Sequence, residues 1–325
     1  MTIEKLKAYL QNLPVGWVVT GHPAPDTDAA VSALFEAYRL TAAGTPAAPL
    51  MQGALSRETA WLLGELAPLV PTAQRPEPTR PLVLTDHNDT AAYPNPISGI
   101  VDHHPLAPGA AVEGVPDLDV RPVGSATTLV ARRLRRDGIT PDAACARLLL
   151  GAILLDTENL SPRKTRAEDL DVVAWLTAID PGDTDALFAA LQAALLSETD
   201  AQTLYRRDYR RYTDPAGAPR LGWAILKVWA DACPDLAAVR RLLAEDDAPT
   251  RVAKIVLNSP TDDTRTEYYL AAGAEAEAFL ALVQCVAGES ARRVAPDMVF
   301  LPETARHHGR KRYVALLQEA WAEKS

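Results

Sequence analysis

Cysteine is nearly absent from this chain: 325 residues hold three, Cys145, Cys233 and Cys285. Far apart and odd in number, they form neither a disulfide framework nor a thiolate zinc knuckle, which fits a reducing cytoplasm. Missing too is any apolar run near the ~20 residues of a spanning helix. The start, Met1-Thr2-Ile3-Glu4-Lys5, lacks the basic n-region and apolar core of a signal peptide. The expectation is a cytoplasmic protein with no membrane partner. Positive charge is also in deficit, 33 Lys and Arg against 42 Asp and Glu, for a net charge of -9. Phosphate-backbone binding relies on clustered cations, so nucleic acid is not expected as a partner, whereas a small anionic substrate needs only one local positive site. What remains, 48% hydrophobic and 23% charged residues, is the balance of a soluble globular protein long enough for two domains.

Histidine is scarce as well, and its placement is informative. All six histidines fall in four short segments, and three of these carry paired carboxylates or a carboxylate beside the imidazole: Gly21-His22-Pro23-Ala24-Pro25-Asp26-Thr27-Asp28, Asp86-His87-Asn88 and Asp102-His103-His104. Each follows a β-rich run. Gly16 to Thr20, Pro81 to Thr85 and Ser98 to Val101 read as strands, and each delivers its motif at the C-terminal end, where ligands bind in open parallel α/β sheets. Helical spacing marks Asp28 to Leu40, Ser125 to Arg136, Pro141 to Leu155, Ala167 to Ala178 and Asp185 to Leu196, with Asp156 at the end of the third. Ser197-Glu198-Thr199-Asp200 breaks this pattern and reads as a linker. Beyond it, strands are expected at Leu221 to Trp229, Arg251 to Leu257 and Glu267 to Leu270, with helices at Leu236 to Ala244 and Glu275 to Val286. The proline-rich stretch Pro68 to Pro81 reads as an irregular connection, and no internal repeat is visible.

Several carboxylates and imidazoles at strand and helix ends are too many for one tetrahedral zinc, but suit two divalent ions sharing a bridging carboxylate. Oxygen and imidazole ligands without thiolate favour Mn²⁺, with Mg²⁺ or Co²⁺ as alternatives. Hydrolysis at phosphorus is the natural use of such a pair. Two basic segments point the same way, Arg206-Arg207-Asp208-Tyr209-Arg210-Arg211 and Arg306-His307-His308-Gly309-Arg310-Lys311-Arg312, because guanidinium forks match phosphate oxygens.

The order Gly-His-x-x-Pro-Asp-Thr-Asp, Asp-His-Asn, Asp-His-His and Leu154-Leu155-Asp156-Thr157 resembles the DHH phosphoesterase superfamily. Gly309-Arg310-Lys311-Arg312 is similar to the Ser-Arg-Lys-Lys signature of the second domain of family II, manganese-dependent inorganic pyrophosphatases and prune-type exopolyphosphatases. The resemblance implies an α/β chain of two domains: a parallel-sheet DHH catalytic, metal-binding domain over 1–194, and a smaller mixed-sheet DHH-associated, substrate-binding domain over 199–325. The active site would lie in the cleft between them. It also implies that His22 and Asp26 bind one metal, Asp28, His103 and Asp156 a second, and that Asp86 bridges them. Asp86, His104 and Asp156 would be catalytic, with His104, Arg210, Arg310 and Lys311 holding phosphate. Arg210 stands where those families usually carry lysine. Two Mn²⁺ are implied, with an additional Mg²⁺ accompanying substrate, and a homodimer is plausible by the same resemblance.

Other residues have plainer roles. His87 is expected to support the site through a hydrogen bond rather than as a ligand. Arg163, Lys164 and Arg166 read as a solvated helix entry, and His307 and His308 as surface residues of a basic loop. Gly124-Ser125 either caps a helix or presents amides to phosphate. His22 and the run Pro25-Asp26-Thr27-Asp28 match the pyrophosphatase form of the first motif, while Gly151 to Asn159 is closer to the exopolyphosphatase version of the fourth. Hydrolysis of pyrophosphate to two phosphates, by a hydroxide bridging two divalent ions, is therefore the leading expectation, followed by short-chain exopolyphosphatase. A phosphodiesterase for oligonucleotides or cyclic dinucleotides is disfavoured because no Gly-Gly-x-His element or base-stacking aromatics are evident, and a non-catalytic binding module because no metal ligand has been lost.

Overall fold

Short apolar runs of β-branched residues and leucine, each closed by a polar motif, set the architecture of the N-terminal half. The computed structural model describes residues 1–322 except 108, 215 and 260–263. The chain divides into two compact units, Met1–Leu195 and Leu196–Ser325. In the first, the order is α1 (Ile3–Gln11), β1 (Trp17–Thr20), α2 (Thr27–Ala42), β2 (Ala47–Leu50), α3 (Arg57–Leu63), β3 (Leu82–Thr85), β4 (Ile97–Asp102), β5 (Asp117–Val120), α4 (Ala126–Arg136), α5 (Ala143–Asp156), α6 (Ala167–Ile179) and α7 (Thr184–Leu196). Its five strands are all parallel in the order β2-β1-β3-β4-β5. Strands β1, β3 and β4 are therefore neighbours, and their C-terminal ends bring the three histidine motifs side by side.

Helix α2 is buried on almost every face, from Thr27 through Ala37, because sheet, α4 and α5 enclose it. That burial is what its Ala-rich sequence permits, and each fully buried Leu34- or Phe35-sized side chain contributes about 1.5–3 kcal/mol. Its carboxylate Glu36 is fully buried and is held by Arg39, with Nη2 at 2.8 Å from Oε1, and by Arg133 of α4, with Nη1 at 2.5 Å. Paired from both sides, that charge locks α2 to α4. Two glycines bring backbones close. A Cβ on Gly21 would lie 2.6 Å from Ala29 Cβ, so only glycine lets the end of β1 approach the first turn of α2. A Cβ on Gly124 would meet Thr157, Asp169 and Lys164 at 2.6–2.8 Å.

The second unit contains α8 (Ala201–Arg207), β6 (Tyr209–Thr213), β7 (Pro219–Trp229), α9 (Leu236–Glu245), β8 (Thr250–Asn258), β9 (Arg265–Gly273), α10 (Ala276–Ala287), β10 (Arg292–Ala295), β11 (Met298–Leu301) and α11 (Arg310–Ala322). Its sheet is mixed, in the order β10-β11-β9-β8-β7-β6, with only the β7/β8 pair parallel. Alternation along the strands gives two apolar faces. Trp223, Val252 and Tyr269 pack under α10 and α11, and Ala224, Ala253 and Leu270 under α8 and α9.

The α/β expectation, a parallel-sheet unit followed by a smaller unit with a mixed sheet, holds. Elements the sequence concealed have local causes. Strand β2 reads Ala47-Ala48-Pro49-Leu50 and β6 reads Tyr209-Arg210-Arg211-Tyr212-Thr213, both poor in the apolar alternation that signals a strand. The segment taken as a basic loop is in part helical, since Arg310, Lys311 and Arg312 form the first turn of α11. Cations there oppose the helix dipole, so the usual N-terminal signal is absent. No helix among the described residues is long and apolar enough to cross a membrane.

Candidate metal centre

Asp26 is the N-cap of α2: its Oδ1 accepts from the Ala29 amide at 3.0 Å, and Oδ2 faces His22 Nε2 at 3.7 Å. Capping and metal-facing roles thus coexist on one carboxylate. Within the first turn of the helix, Asp28 is buried and receives three bonds from the start of α4: Ser125 Oγ at 2.6 Å, the Ala126 amide at 2.7 Å and the Thr127 amide at 2.9 Å. Those donors hold Asp28, and Ser125 is the N-cap of α4, its Oγ accepting from the Thr127 amide at 3.1 Å, so of the two readings of Gly124-Ser125 the helix cap is the one seen. Asp169 fixes this turn from behind by accepting from the Gly124 amide and from Thr128.

Asp86 follows β3 with φ of +59° and is buried. Aspartate tolerates this left-handed conformation better than a bulky or β-branched residue would. Its two oxygens point in different directions, Oδ2 at 3.5 Å from His22 Nε2 and Oδ1 at 3.1 Å from His103 Nε2. His103 Nε2 also lies 3.3 Å from Asp156 Oδ2 and 3.9 Å from Asp28 Oδ2. Two trios of ligand atoms result, His22/Asp26/Asp86 and Asp28/His103/Asp156, each drawn within 4.8 Å. Both imidazoles are oriented alike. Nδ1 of His22 donates to Pro23 O at 2.9 Å and Nδ1 of His103 to Val123 O at 3.1 Å, which aims both Nε2 atoms at the carboxylates.

The donor chemistry fits a hard or borderline cation. Four carboxylates converge, no thiolate takes part, and Asp156 Oδ2 is buried without a hydrogen-bond donor. Without a cation the two histidines supply the positive charge. Burial disfavours the His22 imidazolium, but Asp26 and Asp86 outweigh it and lift its pKa to about 11. His103 rises to about 10 against the same penalty through Asp86, Asp28 and Asp156. Burial, then mutual repulsion, pushes the Asp28 and Asp156 carboxyls upward.

His104 lies outside the two trios but forms a further group with Asp86, Asp102 and His103, its Nδ1 being 3.7 Å from Asp86 Oδ1. Its Nδ1 bonds Asp102 Oδ1 at 3.0 Å, its side chain is half exposed, and the Asp102 carboxylate raises its pKa. Asp102 is fully buried and also accepts from Asn88 and from the His103 amide. His87 takes no part in either trio. It donates from Nδ1 to Thr85 O at 3.0 Å, and its Nε2 meets Tyr93 Oη at 3.1 Å. Gln52 bonds that same hydroxyl and, at 2.9 Å, Gly21 O. Asp102, Gln52 and Tyr93 were given no role from sequence. Asp102 lies inside a motif and was recoverable, whereas Gln52 and Tyr93 carry no local signal. Past Asp156, Arg163 is largely exposed beside Glu158, and Lys164 Nζ reaches Asp156 O at 3.0 Å.

In the second unit Arg310 and Arg210 flank one carboxylate. Arg310 Nη2 lies 2.5 Å from Asp208 Oδ1, its Nη1 bonds the Asp208 and Trp223 carbonyls at 3.0 and 3.2 Å, and Arg210 Nε is 3.7 Å from the same Oδ1. Arg210 and Lys311 are exposed. Arg211 instead pairs with Asp247. His307 is not a surface residue: it is mostly buried, with Nδ1 3.3 Å from Glu267 Oε1.

No protein-family model matches the chain. It is 32% identical over 255 residues, 73% of this chain and 81% of the other, to a probable manganese-dependent inorganic pyrophosphatase of Deinococcus radiodurans. It is likewise 32% identical to one from Streptococcus agalactiae over 171 residues, 50% of this chain and 55% of that one. A putative family II inorganic pyrophosphatase of Methanococcus jannaschii shares its fold, with a TM-score of 0.64 and 21% identity over 93% of this chain and 98% of that one. With the Deinococcus protein matched over four-fifths of its length, this chain belongs to the manganese-dependent inorganic pyrophosphatases.

Proposed function

We propose that this chain hydrolyses inorganic pyrophosphate to two phosphates with two manganese ions, Mg²⁺ or Co²⁺ being the alternatives. The observation that carries the reading is the meeting of two ligand trios at Asp86, in a chain of this family. His22 and Asp26 would hold one ion, Asp28, His103 and Asp156 the other, with Asp86 shared. Bound in pairs, such ions supply Lewis acidity that acidifies water and neutralises charge on phosphoryl oxygens.

The remaining work falls to side chains. His104, with Nδ1 tied to Asp102, presents Nε2 to a phosphate oxygen and carries a proton there, which the pKa-raising bond to the Asp102 carboxylate favours. Arg210 and Lys311 bind phosphate oxygens as exposed cations. Arg310 has most of its guanidinium committed to Asp208 and two carbonyls, so it contributes to phosphate binding chiefly by its charge and by fixing the turn that bears Lys311.

Phosphate release from pyrophosphate, tripolyphosphate, long polyphosphate and a dinucleotide, each with Mn²⁺ and with Mg²⁺, tests the reading. Fast turnover of pyrophosphate with Mn²⁺ is the expected result. Turnover confined to tripolyphosphate and longer chains would make the chain an exopolyphosphatase, and turnover confined to the dinucleotide would overturn the reading altogether.

A further inference from the structure

A buried charged cluster in the second unit has no part in the chemistry above. Glu267 of β9 is fully buried and Lys254 of β8 is 4% exposed. Lys254 stands opposite Tyr269, so Glu267 is its diagonal neighbour on the same sheet face, under α10 and α11. The Lys254 ammonium lies 2.8 Å from Glu267 Oε1, and Tyr269 Oη donates to Oε2 at 3.0 Å. His307 closes on Oε1 at 3.3 Å, with both ring nitrogens buried and without another partner. Lys254 makes one further bond, donating to the His308 carbonyl at 3.0 Å.

Burying an ion pair costs several kcal/mol per charge before the pairing is counted, and an apolar pair of similar volume commonly serves stability as well or better. A cluster kept charged on an otherwise apolar face therefore has a use beyond stability. What the cluster reaches is the imidazole of His307 and the carbonyl of His308, immediately before Gly309, Arg310 and Lys311. Those cations open α11 at its positive end, where the dipole opposes them and an anion would relieve them. Arg310 is pinned on the other side by Asp208. The loop is thus tied down both before and within its basic turn.

We propose that Lys254, Glu267 and His307 are positioning residues that hold the 306–312 turn in the geometry with which Lys311 and Arg310 receive phosphate. This rests on the substrate reading above, and Lys311→Ala tests that reading separately.

The variant Lys254→Met/Glu267→Leu keeps the face packed while removing the buried pair and its tether, leaving the half-exposed Arg265, 3.3 Å from Glu267 Oε1 in the parent, to solvent, and Lys254→Arg keeps charge and reach. With pyrophosphate and Mn²⁺, the double variant should raise KM roughly tenfold with kcat within about twofold of the parent, and Lys254→Arg should recover most of the loss. Amides of residues 303–312 should exchange faster in the double variant, and Mn²⁺ uptake should be unchanged. If Lys311→Ala raises KM while the double variant does not, the positioning role is wrong and the substrate reading stands. If Lys311→Ala leaves KM unchanged, the substrate reading itself falls. Should the double variant fail to fold, Glu267→Gln carries the same expectation for KM and amide exchange, and parental values in it would overturn the proposal.

Discussion

The two charged clusters are built on opposite plans. In the first unit, carboxylates gather around each other, and imidazoles, backbone carbonyls and the amides of α4 hold them in place. The charge left over is negative and convergent. In the second unit two inward-facing cations have acidic partners, Arg310 with Asp208 and Lys254 with Glu267, and the neighbouring Lys311 is exposed. One cluster leaves a repulsion that a bound cation would relieve; in the other the inward charges are paired. The lesson is that a metal site shows itself by unresolved repulsion, while an anion site shows itself by how firmly its flexible cations are braced.

The sharpest way to break the comparison is Asp86→Ala. Only this carboxylate faces both Nε2 atoms, so its loss should lower kcat on the order of a thousandfold and abolish paired Mn²⁺ binding in calorimetry. Parental turnover would show that the trios do not act together. Smaller is the effect expected for Asp102→Asn, which keeps the shape but weakens the hold on His104 Nδ1. Because outer hydrogen-bond partners of this kind are worth roughly ten- to a hundredfold, kcat should fall by that range. The sign of the pH effect follows from Asp102 raising the His104 pKa. Activity that needs protonated His104 is lost as pH rises through that pKa, so the variant's alkaline limb should move to lower pH. An unmoved limb would remove His104 from proton transfer.

The smallest effect is a titration. In the metal-free chain His22 and His103 have pKa values of about 11 and about 10, so both are protonated at pH 7, yet a metal needs Nε2 bare. Adding Mn²⁺ in weak buffer should therefore release protons, and apparent affinity should rise with pH. In linkage terms, these raised pKa values stabilise the metal-free fold below the unfolded-state value near 6.5, and that stabilisation is lost as pH rises through 10 to 11. Metal uptake without proton release would mean that the imidazoles are neutral beforehand and that the repulsion is relieved in another way.

Legibility from sequence was uneven for physical reasons. The ligands lie at the ends of strands β1, β3 and β4 and of helix α5, and apolar runs announce such ends, so His22, Asp26, Asp28, Asp86, His103 and Asp156 stood out together. Their roles as ligands remain a proposal; their convergence is a fact of the fold. The edge strands β2 and β6 were hidden because an edge needs little apolar alternation. His307 was misread because its neighbours in sequence are basic and exposed, whereas its neighbour in space, Glu267, is 40 positions away on another strand. Gln52 was hidden by its distance, 41 positions from Tyr93, while Tyr93, six positions from His87, carries no pattern that marks it.

By itself the sequence determined the α/β class, the parallel and then mixed sheets, and the inventory of oxygen and imidazole donors, because periodicity and residue chemistry are local properties. Tertiary structure alone decided which carbonyl orients His103, which donors hold Asp28, and which arginine is spent on an aspartate. Those are relations between groups far apart in the chain, set by the register of packed strands and helices, and no local pattern encodes them.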